Sequence, residues 1–425
     1  MSTRRDSGHP KVSCKSEPTY KAVQATLDGV TSNPETGVAG LVFAAINKDG
    51  DILTANASGN RGLDTKEPMT LETTFWIASC TKMIAAIAVM QLVEQGKLDL
   101  DDHKQLYKLC PELEKVKVLT DDGKLVDKEA EITLRMLLSH TAGFGYEFFN
   151  TKLRDYGRPV GFDLFTGDPA EILRMPLVNQ PGSRWEYGIN IDWAGIALER
   201  QTGMNLNDYM QQNILEPLGI HDTNMFPTKE MKSNMASMHQ RWPGSQKAVE
   251  RDHVYRRPLV AEGKEEQSRI LCSGGAGLFS RPTEYIKVLA ALLNDGTCPK
   301  TKHQILKPET VKHMFENQIP QMPDFGRQGI PDAKPEHTNP LGDLYPQGDV
   351  AQGWCLSAML TIEPGVTGRG KNTAFWAGIA NLFWWADREK GVAGMIASQV
   401  MPFGDPNVMG AWFGAETAVY DNLGA

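Results

Sequence analysis

The sequence predicts an α/β fold of the α+β kind: an antiparallel sheet flanked by helices, with an inserted, mainly helical lobe. Three observations predict it. Strand-like apolar runs occur near the start of the chain and again near its end. Between them, from about Leu100 to Met238, apolar residues recur with mainly helical spacing. An apolar helix follows the first strand pair, as a sheet that must bury one face requires. At 425 residues the chain suffices for one large domain carrying a lobe. The expected division is a loose segment over 1–18, a sheet domain over 19–99 and 268–425, and the helical lobe over 100–267.

In chain order, "MSTRRDSGHPKVSCKSEPTY" is polar and has no apolar core of the signal-peptide kind, so a cytoplasmic location is expected. Ala39–Ile46 and Asp51–Ala57 read as strands joined at Lys48-Asp49-Gly50, an Asp-Gly hairpin signal. A helix is expected from Ser79 to about Gly96. "EITLRMLLSHTAGF" reads as a helix ending near Gly143, and "NIDWAGIALERQTGMNLNDYMQQNILEPLGI" as two helices broken around Thr202-Gly203. Trp242 to Gln267 reads as irregular, and Pro282 to Leu293 as a helix after a glycine-rich turn. Six prolines between Pro320 and Gln352 predict a long surface loop. "WCLSAMLTIEP", "TAFWAGIANLFWWAD" and "GVAGMIASQV" return to strand, and "AWFGAETAVYDNL" closes as a helix.

The net charge of -8 is spread out and no Lys/Arg cluster stands alone, so neither nucleic acid nor a membrane surface is an expected partner. No run of about 18 apolar residues predicts a membrane span. Six cysteines lie far apart without a Cys-x-x-Cys pair, which fits reduced thiols. No His-Glu-x-x-His, Walker A or Gly-x-Gly-x-x-Gly pattern occurs, so no metal or cofactor is implied.

The chemistry concentrates at "TTFWIASCTKMIAAIAVM", where Ser79 and Lys82 head an apolar helix at i and i+3. A lysine drawn into such a helix near its positive end should have a lowered pKa, making an amine base beside a hydroxyl nucleophile. Ser-x-x-Lys alone is a weak signal, since a chain of this length shows roughly one by chance. The ordinary alternative is a serine N-cap followed by a lysine that snorkels to solvent.

The accompanying motifs change the balance. "SCTK", "LLSHTAGFGY", "WEYGINIDWAG", "GGAGLFS" and "FWAGIANLFWW" follow in the order and spacing of the serine β-lactamase and penicillin-binding-protein superfamily, which the chain resembles from about Gly37 to Tyr420. Within it the chain is most similar to class C-like esterases, the branch that includes the lovastatin-pathway acyltransferase and related fungal transesterases. The resemblance implies a β-lactamase/transpeptidase-like fold and assigns roles one residue at a time. Ser79 would be the nucleophile that forms an acyl-enzyme, Lys82 its activating partner, and Tyr187 the tyrosine that returns the proton to the leaving alcohol. Lys82 and Tyr187 would act as one coupled base. The backbone N–H groups of Ser79 and Ile379 would form the oxyanion hole.

This sequence also departs from the pattern. Tyr187-Gly-Ile-Asn190 is Tyr-x-x-Asn rather than Tyr-x-Asn, which leaves Asn190 as a polar contact only. Trp376 replaces the lysine of Lys-Thr-Gly and offers an apolar wall in place of a carboxylate-binding charge. Gly378 and Tyr146 complete the substrate-binding set. Alternation places Trp376 and Trp384 on one sheet face and Trp385 on the other. His140 is assigned a structural role, Cys80 to the core, and Ser273 to a glycine turn because Leu271 breaks the Gly-x-Ser-x-Gly pattern.

The function expected is a serine acyltransferase or esterase acting through acyl-Ser79 on an apolar ester or thioester, in fungal secondary (polyketide) metabolism. Its partners would be a small-molecule acyl donor, free or carrier-bound, and an alcohol or water acceptor. The Pro320–Gln352 loop and the Tyr146–Phe149 segment are read as lids. The alternatives are a plain carboxylesterase, a β-lactamase or peptidase, and a non-catalytic binding protein of the same fold.

Overall fold

A seven-stranded antiparallel sheet drawn from both ends of the chain forms the centre of the computed structural model, which describes residues 16–33, 35, 37–342, 345 and 348–423. The expected loose segment lies outside the described residues up to residue 15. Ser16 instead N-caps a helix, α1 (Glu17–Thr31), whose first turn holds Glu17 and Pro18. Strands β1 (Gly40–Asn47) and β2 (Ile52–Gly59) form the predicted hairpin. Its turn is fixed by the Asn47 side chain, which accepts from the Asp49 and Asp51 N–H groups at 3.0 and 2.8 Å, and by Gly50 at φ +75°.

Helix α2 (Thr81–Glu94) follows, preceded by a 3-10 turn over Ala78–Cys80, so Ser79 sits in the tighter turn rather than in the α-helix. Every α2 residue from Thr81 to Leu92 is buried, and the chain leaves through Gly96 at φ +68°. Among the helices that follow, the two that matter most here are α3 (Asn190–Thr202) and α4 (Pro282–Leu293). The chain then supplies β3 (Gln352–Trp354), β4 (Met359–Thr361), β5 (Thr373–Gly378), β6 (Leu382–Asp387) and β7 (Val392–Ala397), and closes with α5 (Pro406–Asp421).

The strand order is β2-β1-β7-β6-β5-β4-β3, with β1 joined to β7 in a register that pairs Phe43 with Ile396. Helices cover both faces. On one, Phe383 stacks on Trp412 of α5 at 4.4 Å and Trp385 meets Phe43. On the other, Trp384 lies against Tyr285 of α4, with Trp376 directly opposite it across β5 and β6. Burial on both faces explains why these strands read as continuous apolar runs rather than alternating ones. A buried ion pair, Arg369 to Glu416 at 2.6 Å, ties the approach to β5 to α5.

Two expectations are corrected. The helix expected to reach Gly143 spans only Leu134–Leu138, because His140 takes φ +55° and turns the chain toward the centre of the molecule. Residues 242–267, expected to be irregular, contain a strand, Ala248–Arg251, paired with Met238–Arg241. The described residues of the Pro320–Gln352 segment have little regular structure, yet they are anchored near its middle: Arg154 donates to the Ala333 carbonyl at 2.8 Å, and Lys334 donates to Phe162 O and Glu147 Oε1 at 2.8 and 3.2 Å.

Candidate active site

Ser79 owes its position to a strained turn. Ala78 holds φ +44°, a left-handed conformation that residues with a Cβ adopt at a cost. Backbone bonds lock both sides, with Ile77 N–H donating to Leu278 O at 3.0 Å and Tyr285 Oη donating to Cys80 O at 2.8 Å. The end of β5 abuts this turn. A Cβ added to Gly378 would lie 2.6 Å from the Ile77 carbonyl oxygen, so only glycine admits the approach.

Lys82 is fully buried rather than at the surface. Its Nζ lies 3.1 Å from Ser79 Oγ, 3.0 Å from Tyr146 Oη and 2.8 Å from the Gly275 carbonyl oxygen. Burial pulls its pKa down to about 7, with Asp192 and Cys80 opposing. An ammonium has three N–H donors, and these three oxygens match them in number. Lys82 can therefore hold a proton transiently without stranding a donor, yet release it near neutrality.

Tyr187 is also buried, and burial raises its phenol. The Ser79 hydroxyl and the Trp376 indole N–H, which donates to Tyr187 Oη at 2.8 Å, pull the other way. Lys82 Nζ lies 4.7 Å from the Tyr187 ring centroid, over its face. The phenol oxygen that Lys82 bonds directly is that of Tyr146, whereas Ser79 Oγ meets both Lys82 Nζ and the Tyr187 phenol. Tyr146 in turn stacks on Phe148 at 4.8 Å.

The other candidates separate. Trp376, Gly378 and Ile379 line a cavity with Ser79 and Tyr187, and Tyr146 lines a second cavity. Asn190 stands behind the wall, buried, with its amide near His140 Nδ1 at 2.9 Å and Phe144 O at 3.3 Å. His140 is buried and held neutral, its pKa well below the usual value through burial and the charge of Lys82. Its Nδ1 accepts from the Gly188 N–H, which leaves the ring proton on Nε2. Cys80 is buried, and burial pushes its thiol up.

Asp192 was not singled out from the sequence. Its Oδ1 accepts from Ser273 Oγ at 2.6 Å and from the Gly275 N–H at 3.1 Å, steadying the residue whose carbonyl accepts from Lys82. An acid on the apolar face of "NIDWAGIAL" is the signal that could have found it. The cavity walls from Trp185, Phe325, Leu341 and Met359 were also missed. Isolated Phe and Leu residues in the proline-rich loop were the available sign. Among the described residues, no group of three or more His, Cys, Asp or Glu side chains is arranged to hold a metal ion. No helix among them is long and apolar enough to cross a membrane.

Residues 22–419 match the family described as Beta-lactamase. The lovastatin esterase of Penicillium rubens is 31% identical over 386 residues, spanning 86% of this chain and 90% of that protein. The monacolin J acid methylbutanoyltransferase of Aspergillus terreus is 33% identical over 388 residues, spanning 87% and 88%. Among solved structures, a mutant simvastatin synthase from Aspergillus terreus superposes with a TM-score of 0.79 at 29% identity, over 96% of both chains.

Proposed function

The chain belongs to the beta-lactamase family, and from that premise we propose that it moves an acyl group from an apolar ester or thioester through an acyl-Ser79 intermediate to an alcohol or to water. It is an enzyme of the esterase and acyltransferase type, as its relatives are. The names those relatives carry support a setting in fungal polyketide metabolism. The donor would be a small acyl ester or a free or carrier-bound thioester.

The observation that carries this reading is Lys82, fully buried with Nζ 3.1 Å from Ser79 Oγ. Neutral Lys82 takes the Ser79 proton as Oγ attacks the acyl carbonyl. The oxyanion that forms would rest on the backbone N–H groups of Ser79 and Ile379. As the tetrahedral centre collapses, the bond from the acyl carbon to the leaving oxygen or sulfur breaks. The proton passes by way of Tyr187 to that leaving atom, and Tyr187 regains one from Lys82. An alcohol or water then runs the same steps in reverse. An alcohol releases the new ester and water the free acid, and Ser79 regains its hydrogen.

Trp376 supports an ester over a β-lactam antibiotic. It presents hydrocarbon where a lysine would attract a carboxylate, and its one N–H is engaged by Tyr187. Intact-protein mass spectrometry after brief exposure to a short-chain p-nitrophenyl ester or thioester tests the proposal. The expected result is a transient adduct on the Ser79 peptide, absent in Ser79→Ala, that added alcohols clear faster than water. Turnover that survives Ser79→Ala would overturn it. So would strong cephalosporin hydrolysis without ester turnover.

A further inference from the structure

Two cavities meet at Ser79. The larger extends past Tyr187, Trp376, Leu341 and Met359. The smaller is bordered on another side by Leu164, Phe165, Ile172 and Leu271. Ser79 and Ile379 border both. Resting on the acyl-Ser79 reading, we infer that the smaller cavity is the acyl pocket, that the larger takes the leaving group and then the acceptor, and that Ile172 and the Leu164-Phe165 turn set the length of acyl chain accepted.

The tetrahedral carbon has four substituents. One is Ser79 Oγ, and one is the oxyanion, directed at Ile379 where the two cavities join. Only the acyl chain and the leaving group remain, and two cavities remain to take them. Proton transfer decides which goes where. The leaving or attacking heteroatom must reach a group that exchanges a proton with it. Tyr187, with its Trp376 partner, lines the larger cavity and not the smaller.

The chemistry of the smaller cavity agrees. Its polar side chains besides Ser79 are Asp192, Ser273 and Tyr146, tied to one another or to neighbours: Asp192 Oδ1 accepts from Ser273 Oγ and from the Gly275 N–H, Ser273 Oγ accepts from the Ala276 N–H at 2.9 Å, and Tyr146 Oη accepts from Lys82. The rest of the wall is hydrocarbon, which favours a plain alkyl chain. Its far end is rigid. Phe165 is held by Trp76 edge-on at 5.5 Å and by Phe148 stacked at 5.8 Å. The 3-10 turn over Leu164–Thr166 that carries Phe165 is capped by Asp163, which accepts from Phe165 N–H at 3.0 Å.

The test measures acylation of Ser79, by p-nitrophenol burst and by mass of the adduct, across p-nitrophenyl esters from acetyl to octanoyl. Ile172→Ala should raise the ratio of long-chain to short-chain acylation by about tenfold or more, and Ile172→Phe should lower it by a similar factor. Met359→Ala, in the larger cavity, should instead move the KM for an added alcohol in the deacylation step. The assignment is overturned if the Ile172 variants move the alcohol KM and leave the chain-length ratio alone, or if Met359→Ala moves that ratio. A wild type that forms no Ser79 adduct with any donor overturns the acyl-enzyme reading itself, a result distinct from either pattern.

Discussion

Replacing Tyr146 by phenylalanine removes one oxygen and leaves the ring stacked on Phe148. Lys82 then keeps two of its three acceptors, Ser79 Oγ and Gly275 O. A hydrogen bond to a charged donor contributes about 1.5–3 kcal/mol and one to a neutral donor about 0.5–1.5 kcal/mol. The loss therefore falls harder on the ammonium than on the amine, by roughly 1–1.5 kcal/mol. At about 1.4 kcal/mol per pKa unit, the Lys82 pKa should drop by about one unit from its value of about 7. Lys82 acts as a base only when neutral, so activity is lost as pH falls through its pKa. The acid limb of kcat/KM against pH, measured with a short-chain p-nitrophenyl ester, should lie near pH 7 in the wild type and about one unit lower in Tyr146→Phe. An acid limb that stays put or moves upward refutes the reasoning, because it would mean that Tyr146 does not hold the charged form of Lys82.

Gly378→Ala should cost about 10²–10³ in kcat/KM, since its Cβ meets the Ile77 carbonyl and must push β5 away from the Ser79 turn; steady-state kinetics with circular dichroism on the same sample separate this from unfolding. Glu416→Gln leaves Arg369 buried without its counter-charge and should lower the unfolding free energy by about 3–5 kcal/mol in urea titrations. Lys82→Met should abolish acylation yet stabilise the fold near pH 6. The folded pKa of about 7 lies below the ordinary 10.5, a difference of 10.5 − 7 = 3.5 units and a penalty of about 4–5 kcal/mol below pH 7. Between pH 7 and 10.5 the unfolded chain binds more protons, so wild-type stability rises across that window while the variant's does not. The unpartnered Gly275 and Tyr146 oxygens return about 1–3 kcal/mol each, which leaves a net gain of roughly 1 kcal/mol. Urea titrations at about pH 6 and about pH 10 should show that advantage disappearing at the higher pH.

Local signals made part of this molecule legible. The strands were readable because burial on both faces demands continuous apolar runs, and Ser79 with Lys82 because polar groups stand out against an apolar helix. Tyr187 and Trp376 acquired roles only through resemblance to a family, since nothing within a few residues of either points to proton transfer. Helix α1 was missed because its buried stripe is only Thr19, Val23 and Leu27. The segment after Leu138 was misread because its apolar spacing continues while the backbone does not. His140 packs edge-on to Trp354 at 5.2 Å, and that distant partner fixes a conformation no local pattern announces. Asp192 and the cavity walls were hidden for the same reason. Their meaning lies in Gly275, Ser273 and the Pro320–Gln352 segment, which only the tertiary fold brings near.

The pairing of Phe43 with Ile396 has a consequence for how the protein is made. These partners are 396 − 43 = 353 residues apart, and Ser79 waits 379 − 79 = 300 residues for Ile379. At synthesis rates of about 5–20 residues per second, that interval is roughly 15–60 s on the ribosome. Throughout it the β1–β2 hairpin shows an unpaired edge, an arrangement that favours aggregation or capture by chaperones. Loop closure over such distances also makes for slow folding. Until β5 leaves the ribosome, Ser79 also lacks the Gly378–Ile379 wall of its cavity, so on the acyl-Ser79 reading unfinished nascent chains should not react with acyl donors.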